Sequence, residues 1–157
     1  MYIGPLTRKS QLDFLSSQVN DATGKGAKIF TGGQPISGTG YYFEPTVLVD
    51  VNHSMSIMKE ESFGPVIGIM KVKNDEEAIT LMNDTDYGLT AGVYSSDKQR
   101  ADFILQKVNA GTVYWNCCDR VSAALPWSGR KHSGFGATLS HVGLRAFANP
   151  KAYHLKG

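Results

Sequence analysis

The order of elements between residues 66 and 115 constrains this chain more than any other feature. An apolar run, Val66–Val72 (VIGIMKV), is followed by a helical pattern starting near Asn74. A second short run, Ala91–Ser95, leads into a second helical pattern and then a third run, Gly111–Trp115 (GTVYW). Short apolar runs bounded by turn residues read as strands, and strands alternating with helices read as βαβ units. Such units set parallel strands side by side with helices on the sheet faces. The reading is therefore an α/β fold with a partly parallel sheet and flanking helices.

Local signals sharpen the elements. Asn74 with Glu77 three residues on makes a capping-box arrangement for a helix running to about Asn83, and Ser96 with Gln99 suggests another. Ala101, Ile104, Leu105 and Val108 form the apolar stripe of that second helix, which stops at Asn109–Gly111. Upstream, Leu12, Leu15, Val19 and Ala22 mark a helix over Ser10–Ala22, ended by GKG at 24–26. Lys28–Thr31 reads as a strand, 31–40 as a loop, and Tyr41–Val51 as extended chain bent at Pro45. Downstream, His141–Phe147 reads as a short helix and Ala152–Leu155 as a final strand. The irregular segments 52–65 and 117–137 are long for one domain of this size. Long loops without regular structure are mostly functional, so a site built from loops at strand ends is expected.

Composition excludes several classes. The 157 residues suit one ordinary domain, and 41% hydrophobic with 19% charged residues supports a core rather than a disordered tail. The net charge is +2 with basic residues scattered, so no nucleic-acid patch is expected. No run approaches the ~18 apolar residues that span a bilayer, and the N-terminal MYIGPLTRKSQ lacks a signal-peptide core. The expectation is a cytoplasmic chain with no membrane partner. Cys117 and Cys118 are sequence neighbours, so a disulfide between them is strained and two thiols alone make a poor zinc site. They read as reduced cysteines, and no metal site is expected.

One stretch answers to neither helix nor strand periodicity: KEESFGPV, residues 59–66. A carboxylate such as Glu61 can accept hydrogen bonds from both hydroxyls of a ribose. An aromatic two residues later in extended chain, Phe63, falls on the same side and can pack on a flat ring. Gly64 permits close approach to a ligand, and Pro65 stiffens the exit into a strand. A solvated glutamate pair beside a core phenylalanine is the plainer alternative.

KEESFGPV is followed by NDTDYGLTAGVYSSD (83–97), AGTVYWN (110–116) and LPWSGRKHSGFG (125–136). Together, in this order and at this separation, these stretches resemble the C-terminal half of the NAD(P)-dependent aldehyde dehydrogenase superfamily, from IGPL (3–6) to the C-terminus. The resemblance implies that 1–150 is the C-terminal portion of a catalytic domain and that 151–157 starts an oligomerisation strand. It implies a cofactor, NAD or NADP, held on its nicotinamide side by Glu61 and Phe63. It implies an aldehyde entrance lined by Asp119, Arg120 and Val121, with Trp127 as a tunnel wall or as ordinary core packing. Asn116 would be a structural or pocket-edge residue, and Ser133-Gly134-Phe135-Gly136 a support for the loops. Where the family usually carries a charged pair, this chain has Ala137 and Thr138, and Arg120 puts a cation in the substrate loop.

The family's chemistry is covalent: a cysteine thiolate attacks the aldehyde, hydride leaves to the cofactor, and glutamate-activated water releases the acid. The resemblance places that cysteine, the general-base glutamate, the oxyanion asparagine and the adenosine-binding fold upstream of these residues. No catalytic residue is therefore assigned here, and the chain alone is expected to be inactive and to bind no cofactor by itself. Homo-oligomers are expected. A non-catalytic assembly module that self-associates, or complements a separate N-terminal chain, is the competing reading.

Overall fold

The structure, a computed structural model, describes residues 3–117 and 120–157. The chain forms two compact units, Met1–Glu77 and Ala78–Gly157. The division between them falls inside a helix.

In the first unit, helix α1 (Ser10–Gly24) buries Leu15, Gln18, Val19 and Ala22. The apolar stripe explains three of these. Gln18 is the surprise: it is 1% exposed, and both atoms of its amide lack a hydrogen-bond partner. A three-stranded sheet follows, in the order β1 (Lys28–Thr31), β4 (Thr46–Val49), β5 (Val66–Ile69). Strands β1 and β4 are antiparallel, with a register shift between Ile29 and Thr31, whereas β4 and β5 are parallel. Two residues each, β2 (Pro35–Ile36) and β3 (Tyr42–Phe43) make a small antiparallel pair, the first within the segment 31–40 read as a loop and the second within the stretch Tyr41–Val51 read as extended. The core joins Leu15, Val19 and Ala22 of α1 to Phe43, Leu48, Val51, Met55 and Ile57. Strand β5 is shorter than the apolar run 66–72. Its burial alternates, leaving Ile67 and Ile69 more than half exposed, so it is a one-sided strand rather than a fully buried one.

Helix α2 (Asp75–Asn83) starts as its sequence indicates. The Glu77 N–H donates to Asn74 Oδ1 at 2.9 Å. The returning Glu77 carboxylate accepts from the Lys73 N–H at 2.6 Å, one residue before the cap. In the second unit, β6 (Thr90–Val93) and β7 (Thr112–Trp115) pair in parallel, joined by helix α3 (Lys98–Lys107). This is the βαβ unit the alternation predicts. Strand β5, however, pairs with β4 and not with β6 or β7, so the three runs between 66 and 115 are divided between two sheets. The α3 cap is Asp97, whose Oδ1 accepts from the Arg100 N–H at 3.1 Å, and not Ser96. A carboxylate is the stronger acceptor at a helix start, and it faces the positive end of the helix dipole. Ile104, Val108 and Ala110 form the core, with Ile79, Met82, Ala91 and Val93 packed against it.

Helix α4 (Ser140–Arg145) is followed by a turn and then exposed chain without regular structure. Residues 151–157 form no strand: a strand needs a ladder partner, and none lies within this chain among the described residues. No helix among the described residues is long and apolar enough to cross a membrane.

Candidate functional site

The sequence-predicted residues fall in both units, and each group has its own surroundings. Glu61 and Phe63 lie in the first unit, on the segment between a 3-10 turn (Ser56–Met58) and β5. The segment is fastened at both ends and in the middle. The Glu60 N–H donates to Ser56 O at 2.8 Å, the Thr46 N–H donates to Pro65 O at 2.8 Å, and Gln11 Nε2 of α1 donates to Ser62 O.

Between those anchors the backbone does something the sequence did not announce. Phe63 has φ +44°, in the left-handed region, and its side chain is 76% exposed. A bulky residue held there costs about 1–3 kcal/mol, and such outliers cluster at functional positions. The positive φ also removes the extended geometry that would put Glu61 and Phe63 on one side. Residues 61–63 belong to no strand, so strand alternation does not set their relation. Glu61 is exposed.

Gly64 has a role other than approach to a ligand. A Cβ built there would lie 2.4 Å from Leu15 Cδ1 and 2.8 Å from Leu15 Cδ2, and Leu15 is fully buried. The glycine lets the segment approach Leu15 of α1 more closely than any side chain would allow. Beside Phe63 is a cavity of about 360 Å³ lined by Thr7, Arg8, Gln11 and Phe63. Thr7, Arg8 and Gln11 were missed from the sequence. Three residues at a helix start give no local sign that a loop some 50 positions later returns to them.

The second group is in the second unit. Asp119 and Cys118 lie outside the described residues. Arg120 and Val121 are exposed, and the Arg120 carbonyl accepts from the Tyr114 hydroxyl at 3.1 Å, which ties the loop back to β7. Asn116, at φ +52°, holds the preceding turn. Its Oδ1 accepts from the Ser95 N–H and its Nδ2 donates to Ser95 O, both at 2.8 Å. This closes the C-terminal ends of β6 and β7 together. Trp127 is half-buried, and its backbone exchanges two 2.8 Å hydrogen bonds with Thr138.

The stretch around Ser133 supports its neighbours. Ser133 Oγ accepts from the Gly88 N–H at 3.0 Å, and Gly88 O accepts from the N–H groups of Gly111 and Arg130. Lys131 Nζ donates to Asn83 O and Thr85 O at 2.8 Å each. Gly111 is obligatory here, since a Cβ would fall 1.6 Å from Ser128 O. Among the described residues no cluster of three His, Cys, Asp or Glu could hold a metal, and Cys117 is an exposed free thiol.

The first unit therefore brings Thr7, Arg8, Gln11 and Phe63 around one cavity, with Glu61 on the same segment as Phe63. Comparison with known proteins identifies the family. A model described as the aldehyde dehydrogenase family matches residues 1–153. The chain is 40% identical over 151 residues to a chloroplastic betaine aldehyde dehydrogenase of Atriplex hortensis, covering 95% of this chain and 30% of that one. It is 39% identical over 153 residues to a mitochondrial aldehyde dehydrogenase of Homo sapiens, covering 98% and 30%. A crystal structure of betaine aldehyde dehydrogenase from Staphylococcus aureus in complex with NAD+ superposes with a TM-score of 0.87 at 35% identity, over 94% of this chain and 30% of that one. The chain thus spans about 30% of the length of the curated relatives it matches.

Proposed function

Because this chain belongs to the aldehyde dehydrogenase family, we propose that it supplies the nicotinamide-side cofactor clamp and the aldehyde-entrance loop of an enzyme that oxidises an aldehyde to a carboxylic acid. The carrying observation is the family match over 1–153 combined with the 30% share of the relatives' length. NAD or NADP, when bound, accepts hydride from the substrate. In this reading Glu61 accepts hydrogen bonds from the ribose, and Phe63 offers its exposed ring to the nicotinamide. Asp119, Arg120 and Val121 line the aldehyde entrance, with Trp127 behind them, strapped to Thr138. The nucleophilic cysteine, the general base and the oxyanion donor belong to the portion of the relatives that this chain does not match. The 157 residues alone are then inactive and act within a homo-oligomer.

The test is an assay of this chain alone and of a chimera in which it replaces the matching segment of a curated relative. The chimera is expected to reduce NAD with aldehyde, and the chain alone is not. In the chimera, Glu61→Gln should lower kcat/KM roughly tenfold to a hundredfold, as loss of a charged hydrogen bond does. NADH production by the chain alone, abolished by replacing Cys117 and Cys118 with serine, would overturn the reading.

A second reading has its own observation. Residues 151–157 are exposed throughout, with Tyr153 and Leu155 largely bare. Exposed chain without a partner can add to a sheet edge, so the chain would serve as an assembly module that pairs with another copy or with a separate N-terminal polypeptide. A strictly monomeric chain at high concentration, with no activity gained on mixing with an N-terminal half, would remove it.

A further inference from the structure

The clamp in the first unit leaves the charge of the second unused. From residue 103 to 157 the sequence carries seven Lys or Arg and a single acid, Asp119. Four of these cations are occupied by neutral groups. Lys131 Nζ donates to Asn83 O and Thr85 O, Arg130 Nη1 donates to Asn109 Oδ1 at 3.2 Å, and Lys107 and Lys151 lie over the rings of Phe103 and Tyr153. Arg120 is exposed, and among the described residues no carboxylate pairs with it. Its backbone is held, because its carbonyl accepts from the Tyr114 hydroxyl at 3.1 Å. Three residues on, the Ala123 carbonyl accepts from the Ser140 N–H at 2.9 Å. The loop is thus pinned to β7 at one point and to the start of α4 at the other. At the second anchor, Ala123 and Ala124 line a cavity of about 520 Å³ with His141, Leu144 and Phe147. These small and apolar side chains leave room for a short aliphatic chain, and the volume lies within the roughly 300–1,000 Å³ of ligand pockets. Three residues of chain span at most about 10 Å, so Arg120 starts within that distance of the cavity wall.

We propose that this site selects aldehydes bearing a carboxylate at the end remote from the reacting carbonyl, and that Arg120 is the residue that selects them. The inference rests on the reading of this loop as the aldehyde entrance and deepens it by naming the substrate class. Charge complementarity carries it. A guanidinium donates two parallel hydrogen bonds to a carboxylate, whereas a neutral aldehyde offers it nothing to hold and a cationic one is repelled. The surrounding excess of positive charge draws an anion toward the loop before contact is made. The aliphatic middle of such a substrate suits the apolar cavity beside it. The remote carboxylate takes no part in hydride transfer, so the guanidinium holds ground state and transition state alike. Its loss is therefore expected in KM rather than in kcat.

The test assays the chimera with succinic semialdehyde, with pentanal as its neutral counterpart, and with a trimethylammonium aldehyde. Arg120→Gln, Arg120→Lys and Arg145→Gln are run beside it, with circular dichroism to check that each variant folds. Succinic semialdehyde should exceed pentanal roughly tenfold in kcat/KM, the advantage of a charge-assisted hydrogen bond at an exposed site, and added salt should shrink the gap. Arg120→Gln should close the gap through KM and improve the cationic aldehyde, Arg120→Lys should keep part of the gap, and Arg145→Gln should leave it unchanged. Succinic semialdehyde no better than pentanal, or a gap that survives Arg120→Gln, would overturn the inference and leave the proposed function standing. An equal loss in Arg145→Gln would show a diffuse field and overturn the role of Arg120. No turnover of any aldehyde would overturn the proposed function and the substrate class with it. A second measurement needs no turnover: a nuclear magnetic resonance titration of the 157-residue chain with butyrate and with butanamide. Butyrate should shift the Arg120 side-chain and Ala123 amide resonances more than those of Arg145, and butanamide should leave Arg120 in place. Equal shifts from the two probes, or none at Arg120, would overturn the inference whatever the chimera does.

Discussion

The two units solve the same packing problem to different depths. Among the described residues, the first unit gathers nine buried side chains into one cluster, from Leu15 to Ile57. The second gathers three, Ile104, Val108 and Ala110, and leaves Phe135, Phe147 and Leu155 almost wholly exposed. What holds the second unit's loops is polar instead: Asn116 on Ser95, Lys131 on two carbonyls, Ser133 on Gly88. Hydrogen bonds of this exposed kind contribute about 0.5–1.5 kcal/mol each, whereas burying one large apolar side chain contributes about 1.5–3 kcal/mol. The candidate clamp therefore sits on the unit with the deeper core. Arg120, Val121 and Trp127, proposed for the aldehyde entrance, belong to the unit that leaves these apolar side chains exposed.

Core truncation should break the symmetry between the units most strongly. Leu15 is fully buried at the centre of the first cluster, so Leu15→Ala should cost about 2–5 kcal/mol. Ile104 is 7% exposed in a small cluster, and Ile104→Ala should cost about 2 kcal/mol, because a shallow site closes more readily around the lost atoms. Hydrogen exchange read peptide by peptide separates the two. Leu15→Ala should strip protection from α1, β4 and residues 59–65 while sparing β6 and β7. Loss spread evenly over both units would mean that they unfold as one, and the comparison would fail.

A smaller change sharpens the link between that core and the candidate site. Gly64→Ala drives a methyl group into Leu15, which has no free space, at a cost of about 1–3 kcal/mol. The same change in a Leu15→Ala background should be close to neutral, because the cavity accepts the methyl. Urea unfolding of the four chains completes the cycle. Additive penalties would show that Gly64 is needed for something other than contact with α1.

Much of this fold was legible, and the reasons for the misses are physical. Helix α1, strand β1, helix α2 and the β6–α3–β7 unit follow from periodicity and capping residues that lie within a few positions of one another. The apolar run at 66–72 reads as a strand, but a continuous run hides which face is covered. Only the pairing with β4 shows Ile67 and Ile69 turned outward. The cap at Asp97 was missed because Ser96 and Asp97 are both good caps, and the choice depends on where Ser95 is held by Asn116. In the candidate site, Glu61 and Phe63 stood out because acids, aromatic, glycine and proline in that order serve no regular element. Arg8 and Gln11 did not, because what makes them notable is a loop returning from 50 residues away. Gln18 broke the pattern outright. A polar residue on the buried stripe of α1 looks exposed until the helix is seated.

The smallest expected effect concerns acid, and it too divides the chain. Asp21 joins α1 to the segment leading into KEESFGPV. Its Oδ1 meets Lys25 Nζ at 2.7 Å, and its Oδ2 accepts from the Ser56 N–H at 2.9 Å. The Lys25 hydrogen bond first, and the Ser56 N–H second, hold this carboxyl below its ordinary value of 3.8. A carboxyl depressed in the folded chain contributes stability that is fully present above its unfolded value and is lost as pH falls through the lower folded one. The contribution is therefore intact at neutral pH and fades only below about pH 3.8. The Asp21 carboxylate is solvent-accessible, so the effect is local and salt weakens it. Following the Ser56 amide resonance between pH 5 and pH 2 should show it shift as Asp21 protonates, with a midpoint below 3.8, while the Tyr114 amide of β7 stays still. Asp21→Ala should abolish the Ser56 shift and leave the rest of the acid titration unchanged. A midpoint at or above 3.8 would show that the Lys25 and Ser56 contacts do not persist in solution. The segment carrying Glu61 and Phe63 would then be held by Gln11, Thr46 and the Leu15–Gly64 contact alone.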